Sequence, residues 1–146
     1  MASDTEFSAT PMRPVGLGRR FAAIGYDSLL LTAVLFVGTA MLLPFRGGEA
    51  IRAGDVWYTA YLAALSFGYF GWFWTHGGQT LGMRSWRIRL VGAGQVGANW
   101  RQALVRFVSA CFSWLAFGAG FVWLLVDPDR LTWHDRVSRT RIVDVS

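Results

Sequence analysis

The sequence predicts an all-α membrane protein, a small bundle of three hydrophobic helical segments with a short β-hairpin-like loop on the cytoplasmic side. Three features carry that expectation. Of the 146 residues 53% are hydrophobic and 16% charged, far from the balance of an ordinary soluble domain. The apolar residues gather into three long runs, Phe21 to Leu43, Trp57 to Thr75 and Ala103 to Val126, and too few polar segments remain to cover such helices in water. The basic residues, all of them arginine, cluster beside the runs and hardly enter them.

Residues 1 to 17 are polar, with Ser, Thr and Pro, and read as a mobile tail ahead of one membrane domain over 18–146. The first run holds a single charge, Asp27; the second holds none; the third holds only Arg106. Each reaches the roughly 20 helical residues that a hydrocarbon core about 30 Å thick requires. With no water to satisfy its backbone, each such run must be helical. Trp57, Tyr58 and Tyr61 at one end of the second run, and Trp72, Phe73 and Trp74 at the other, form the aromatic belts of a membrane interface. Asp4 and Glu6 ahead of the first run, and Asp27 inside it, argue against a cleaved signal peptide.

Arginine placement predicts topology. Arg13, Arg19 and Arg20 precede the first run, and Arg84, Arg87, Arg89 and Arg101 lie between the second and third, so the N-terminus and the 76–102 loop are expected in the cytoplasm. The same arginines suit the anionic headgroups of the bilayer better than nucleic acid, despite a net charge of +5. Within the 76–102 loop Trp86, Ile88 and Leu90 alternate with Arg87, Arg89 and Val91 before Gly92-Ala93-Gly94. This is a strand entering a turn, its apolar side expected toward the membrane and its arginine side toward water. Thr140 to Val145 reads as a second strand. Pairing the two strands requires them to share one side of the membrane, as do Arg130, Arg136, Arg139 and Arg141 of the tail. Two arrangements stay open: three straight spans, or a third run that bends back at Gly118 and Gly120 as a re-entrant pair.

Four residues stand out chemically. Asp27 lies inside the first run, where an ionised carboxylate costs about 2.5 to 3.5 kcal/mol unless it finds a partner, so it is expected to face the bundle interior. Gln102, Arg106, Ser109 and Ser113 recur at helical spacing as one polar stripe, which makes Arg106 the expected partner of Asp27. Arg20 sits two turns before Asp27 and is expected to snorkel to the headgroups. Asp135, in Trp133-His134-Asp135-Arg136, is expected to cap or clamp a turn against an arginine of the 84–89 loop. Ala22, Gly25, Ala64, Gly68 and Gly71 would permit close helix contact. His134, Asp135, Asp127 and His76 lack the spacing of a metal site, the lone Cys111 offers no disulfide or CxxC pair, and no P-loop, dinucleotide fingerprint or nucleophile elbow is present. Neither an enzyme nor a cofactor is expected.

The blocks Arg20-Phe21-Ala22-Ala23-Ile24-Gly25-Tyr26-Asp27, Gly77-Gly78-Gln79-Thr80-Leu81-Gly82-Met83-Arg84, Arg101 through Arg106, and Trp133-His134-Asp135-Arg136 with Thr140 resemble, in that order, the RDD family of bacterial membrane proteins. The resemblance runs from Gly18 to Val143, and Arg139 before Thr140 departs from the small residue usual in relatives. It implies that the family's one arginine and two aspartates fall on Arg20, Asp27 and Asp135. It also implies a multi-pass protein of the inner membrane, with transport of unknown ligands suggested and cation/proton antiport linked to some members. Two functions are therefore expected: a transporter, homo-oligomeric because three helices scarcely enclose a pathway, or a non-transporting accessory subunit docked on a membrane-protein partner.

Overall fold

The computed structural model describes residues 13–92 and 95–146. The chain is mostly helical, with one small antiparallel sheet. Helix α1 spans Leu17–Leu42 and continues as a short 3-10 turn, Leu43–Arg46; α2 spans Val56–Thr75 and α3 Leu81–Ser85. Strands β1 (Ile88–Gly92) and β2 (Gln95–Val96) follow, then α4 (Trp100–Leu115), α5 (Ala119–Val126), α6 (Trp133–Ser138) and β3 (Thr140–Asp144).

Among the described residues, the continuous helix Leu17–Arg46 alone is long and apolar enough to cross a bilayer unaided. The predicted bundle of three spanning segments is thus only partly present. Helix α2 is 20 residues long, but its Trp and Tyr side chains carry polar N–H and O–H groups that lower its hydropathy. The third run is no straight span: it breaks into α4 and α5, bent by 97°. Phe117 and Gly118 both take positive φ at the break, and the Gly118 N–H bonds back to the Ser113 carbonyl at 2.8 Å. Any side chain on Gly120 would fall on Ser113, so a glycine there lets α5 fold down beside α4.

Asp55 starts α2 by accepting hydrogen bonds from Trp57 N (3.0 Å) and Tyr58 N (3.1 Å). Its end is set by Gly77 and Gly78, both at positive φ. Gly78 also receives the Leu90 N–H at 2.7 Å, so the chain turns tightly enough to bring β1 back beneath α2. Strand β1 pairs with β3 antiparallel over Ile88↔Asp144 through Gly92↔Thr140, and with β2 at Gly92↔Gln95. The strand order is β2-β1-β3. The two predicted strands do pair, which brings the C-terminal segment against the 76–102 loop; Ala93 and Gly94 of the expected turn lie outside the described residues.

The expected membrane-facing side of β1 faces elsewhere. Ile88 and Leu90 are buried at the centre of the domain with Val15, Ala23, Trp74, Met83, Ala98 and Ala103. The sheet and α3 close over the ends of α1, α2 and α4, and the apolar face of the strand is buried against them. Val15 belongs to this core, and Pro14 bridges to Val143, so the last residues of the predicted 1–17 tail are docked while residues 1–12 lie outside the described region. Away from the cap, Leu29, Phe36, Val37 and Met41 of α1 are exposed. Close helix contact occurs at Gly38 against Leu65 and at Gly71 against Trp100, whereas Gly25 and Gly68 face open space.

Candidate functional site

Asp135 lies at the third position of α6, where Thr132 caps the helix: the Asp135 N–H reaches Thr132 Oγ1 (3.4 Å) and the Thr132 N–H returns to Asp135 Oδ2 (3.1 Å). That reciprocal cap fixes the carboxylate's direction. Its two oxygens then take one guanidinium each, Oδ2 from Arg20 Nη1 at 2.7 Å and Oδ1 from Arg106 Nη1 at 2.5 Å. All three side chains are almost wholly buried. Arg20 donates its Nε to the Val15 carbonyl (3.3 Å), while Arg106 also reaches Thr140 Oγ1 (2.9 Å) and stands 5.4 Å from the centre of the Trp74 ring. One acid therefore ties the start of α1, the middle of α4 and the C-terminal α6 together.

Burial by itself would raise the Asp135 pKa, but Arg106 and then Arg20 outweigh it and hold the carboxyl well below the usual range. Beside it His134 packs edge-on to Phe121. Burial first, and then the neighbouring Arg106, push its pKa down to about 3, so the imidazole is neutral at physiological pH.

Asp27 forms a second, separate cluster. Its Oδ1 accepts from the Gly82 N–H (2.9 Å) and the Tyr69 hydroxyl (3.2 Å), and its Oδ2 accepts from the Thr80 hydroxyl. Thr80 is in turn the cap of α3, accepting from Met83 N at 3.1 Å. Asp27 thus satisfies one free amide of the five-residue helix α3 from outside and holds its capping hydroxyl, and glycine at 82 is what permits the approach. A Cβ there would sit on the Ala23 carbonyl oxygen and 2.8 Å from Asp27 Cγ. Gly82→Ala should destabilise the protein by about 1 to 3 kcal/mol, an overpacking cost read as a lower melting temperature in detergent.

Three expectations need correction. Arg106 is not the partner of Asp27: the α4–α5 bend carries α6 back under α4 and brings Asp135 Oδ1 within 2.5 Å of it, while Asp27 is already taken by Tyr69, Thr80 and Gly82. Arg20 does not snorkel to headgroups; it is 2% exposed and held by Asp135. Asp135 caps its helix as expected, but clamps Arg20 and Arg106 in place of an arginine of the 84–89 loop. In the polar stripe of α4, Arg106 and Ser113 are buried, Gln102 completes a capping box with Asn99, and Ser109 bonds back to its own helix. Tyr69 was not singled out by the sequence, and His134, Trp74, Thr80 and Thr140 were noted only as a weak metal candidate, an interfacial aromatic and members of the family-like blocks, not as partners of the aspartates. Thr80 carried a helix-cap signal ahead of Leu81; the others carried none without their tertiary partners.

Arg20, Asp27, Arg106 and His134 all line one cavity of about 320 Å³ between α1, α2 and α4. Their side of it is polar; Leu31, Phe70, Phe107, Trp114 and Phe121 wall the remainder. Among the described residues no three His, Cys, Asp or Glu side chains converge as a metal would need, and His76 stacks on Trp72 while His134 packs on Phe121. Outside the cavity, Arg136 bridges Asp127 and Asp129, and Arg19 meets Asp144 at 2.5 Å.

Comparison with curated proteins and with solved structures returns no match to either. The RDD family matches over residues 14–139, a stretch that contains both aspartate clusters and the arginines that serve them. Covering most of the sequence from Pro14 onward, that match establishes that this chain belongs to the RDD family.

Proposed function

We propose that this RDD protein is a multi-pass, non-enzymatic protein of the bacterial inner membrane that takes up a small ion or solute and moves it through an oligomeric assembly. The observation that carries the reading is the convergence of Arg20, Asp27 and Arg106, charges that are costly at this depth, on the wall of a single cavity. Charges needed only to lock helices together would be served equally well by a filled interior.

The exposed apolar length of α1 supports insertion in lipid. The pairing of β1 with β3 supports one side for the arginine-rich loop and the arginine-rich tail, which the positive-inside rule places in the cytoplasm with the N-terminus. The α4–α5 pair then enters and leaves the same leaflet. Arg84, Arg87, Arg101, Arg130, Arg139 and Arg141, all exposed, suit anionic headgroups along that face. Three helices do not close a pathway, so the transport reading requires further copies.

A second reading, an accessory subunit docked on a membrane-protein partner, is favoured by a different observation: Asp27 takes three donors and Asp135 two arginines, as structural clamps do. Asp27→Asn separates the two. The amide removes the charge yet can still accept from Gly82 and Tyr69. Transport predicts loss of ion- or solute-dependent flux in reconstituted vesicles at unchanged protein level; the accessory reading predicts reduced abundance or oligomer stability. Unchanged flux at unchanged abundance would refute the transport reading.

A further inference from the structure

The cavity between α1, α2 and α4 has a polar floor and apolar walls, and the floor is incompletely satisfied. Among the described residues, Arg20 Nη2 and His134 Nδ1 are buried with no hydrogen-bond partner. Both residues line this cavity. A buried guanidinium edge without an acceptor costs more than the roughly 1 to 3 kcal/mol of a neutral group left unpaired. Two arginines share the single Asp135 there. Asp27, the acid on the adjoining wall, already accepts from Tyr69, Thr80 and Gly82, so what Arg20 Nη2 lacks is an acceptor, and the neutral His134 can turn an Nδ1–H to the same acceptor.

The rest of the wall suits hydrocarbon. Phe70, Phe107, Trp114 and Phe121 surround it, and Ala110 and Cys111 leave room on α4. A cavity of about 150 Å³ holds benzene, so the 320 Å³ here corresponds to roughly a dozen non-hydrogen atoms. We propose that this cavity binds a single-chain amphiphilic acid, its carboxylate on Arg20 beside His134 and its chain among the aromatic walls. This deepens the transport reading, on which it rests, by naming the class of solute.

Cys111 is the only cysteine in the chain and lines the cavity. It is exposed, so a maleimide reaches it when nothing is bound, and a ligand seated against it in the cavity slows the alkylation. The wild-type protein in lipid nanodiscs is labelled in the presence of decanoate, decanol or decylamine, with nanodisc phospholipid common to all three. Decanoate at about four times its dissociation constant should slow labelling about fivefold, while decanol and decylamine leave it near the untreated rate. Ala110→Phe, which fills the apolar part without touching the floor, should abolish the protection while the protein elutes as a single species. Where that variant does not fold, the wild-type series decides alone. Equal protection by decanol means that only the apolar wall matters, and stronger protection by decylamine means that Asp27 governs the site; either overturns the proposal, as does absence of protection by decanoate. If decanoate fails while Asp27→Asn still abolishes flux, the transport reading stands and this assignment of its solute falls.

Discussion

Asp135→Ala should remove most of this protein from the membrane. The substitution leaves Arg20 and Arg106 buried, 2% and 4% exposed, with no counter-charge. Breaking a buried ion pair from one side costs about 3 to 5 kcal/mol, a large part of a small domain's stability. Two arginines are stranded here, and the α6 capping box is lost with them. The measurement is melting temperature in detergent together with abundance in the membrane fraction. A triple variant tests the cause: replacing Arg20 with Leu, Arg106 with Met and Asp135 with Leu together removes the desolvation cost along with the attraction, and should recover much of the stability lost by Asp135→Ala alone. If the triple variant is no more stable than the single one, the clamp contributes more than charge balance.

Acid should unfold the protein earlier than carboxylate titration alone would bring about, and His134 is the reason. Its folded pKa is pushed down to about 3 from an ordinary 6.5. Between those values the unfolded chain binds a proton that the folded chain refuses, so stability is intact above about pH 6.5 and falls as the pH drops below it. By pH 5 the loss is about 2 kcal/mol. Asp135 adds a loss of the same sign at lower pH: its folded pKa lies below its unfolded one, so its contribution is present above about pH 4 and disappears as the solution is acidified further. His134→Phe keeps an aromatic ring against Phe121 and has no proton to take up. Melting curves from pH 7.5 to pH 5 should slope downward for the wild type and be nearly flat for the variant. Parallel slopes would mean that another group carries the acid sensitivity.

Much was legible in the linear sequence. Long apolar runs and the alternation at Ile88 and Leu90 are local or periodic signals, and the helices and strands stand close to where those signals put them. Gly118 and Gly120 marked the break in the third run, because a left-handed backbone and a close helix approach both favour glycine. Arg20, Asp27, Arg106 and Asp135 were legible as residues, since a charge inside or beside an apolar run must find a partner. The partners were not. Whether Arg106 would meet Asp27 or Asp135 depends on the 97° bend between α4 and α5, which swings α6 beneath α4. That bend is an angle, and composition carries no angles. The neutral state of His134 has the same origin, being set by burial against Phe121 and by two arginines from distant parts of the chain. Local chemistry along the sequence determined the elements, the apolar character and the charged residues that require burial. Only the tertiary structure decided which charge answers which, and that, among the described residues, their meeting leaves one guanidinium nitrogen of Arg20 unpaired beside a cavity. The physical reason is that an ion pair is a matter of distance in space, and distances between remote segments exist only once the chain has folded.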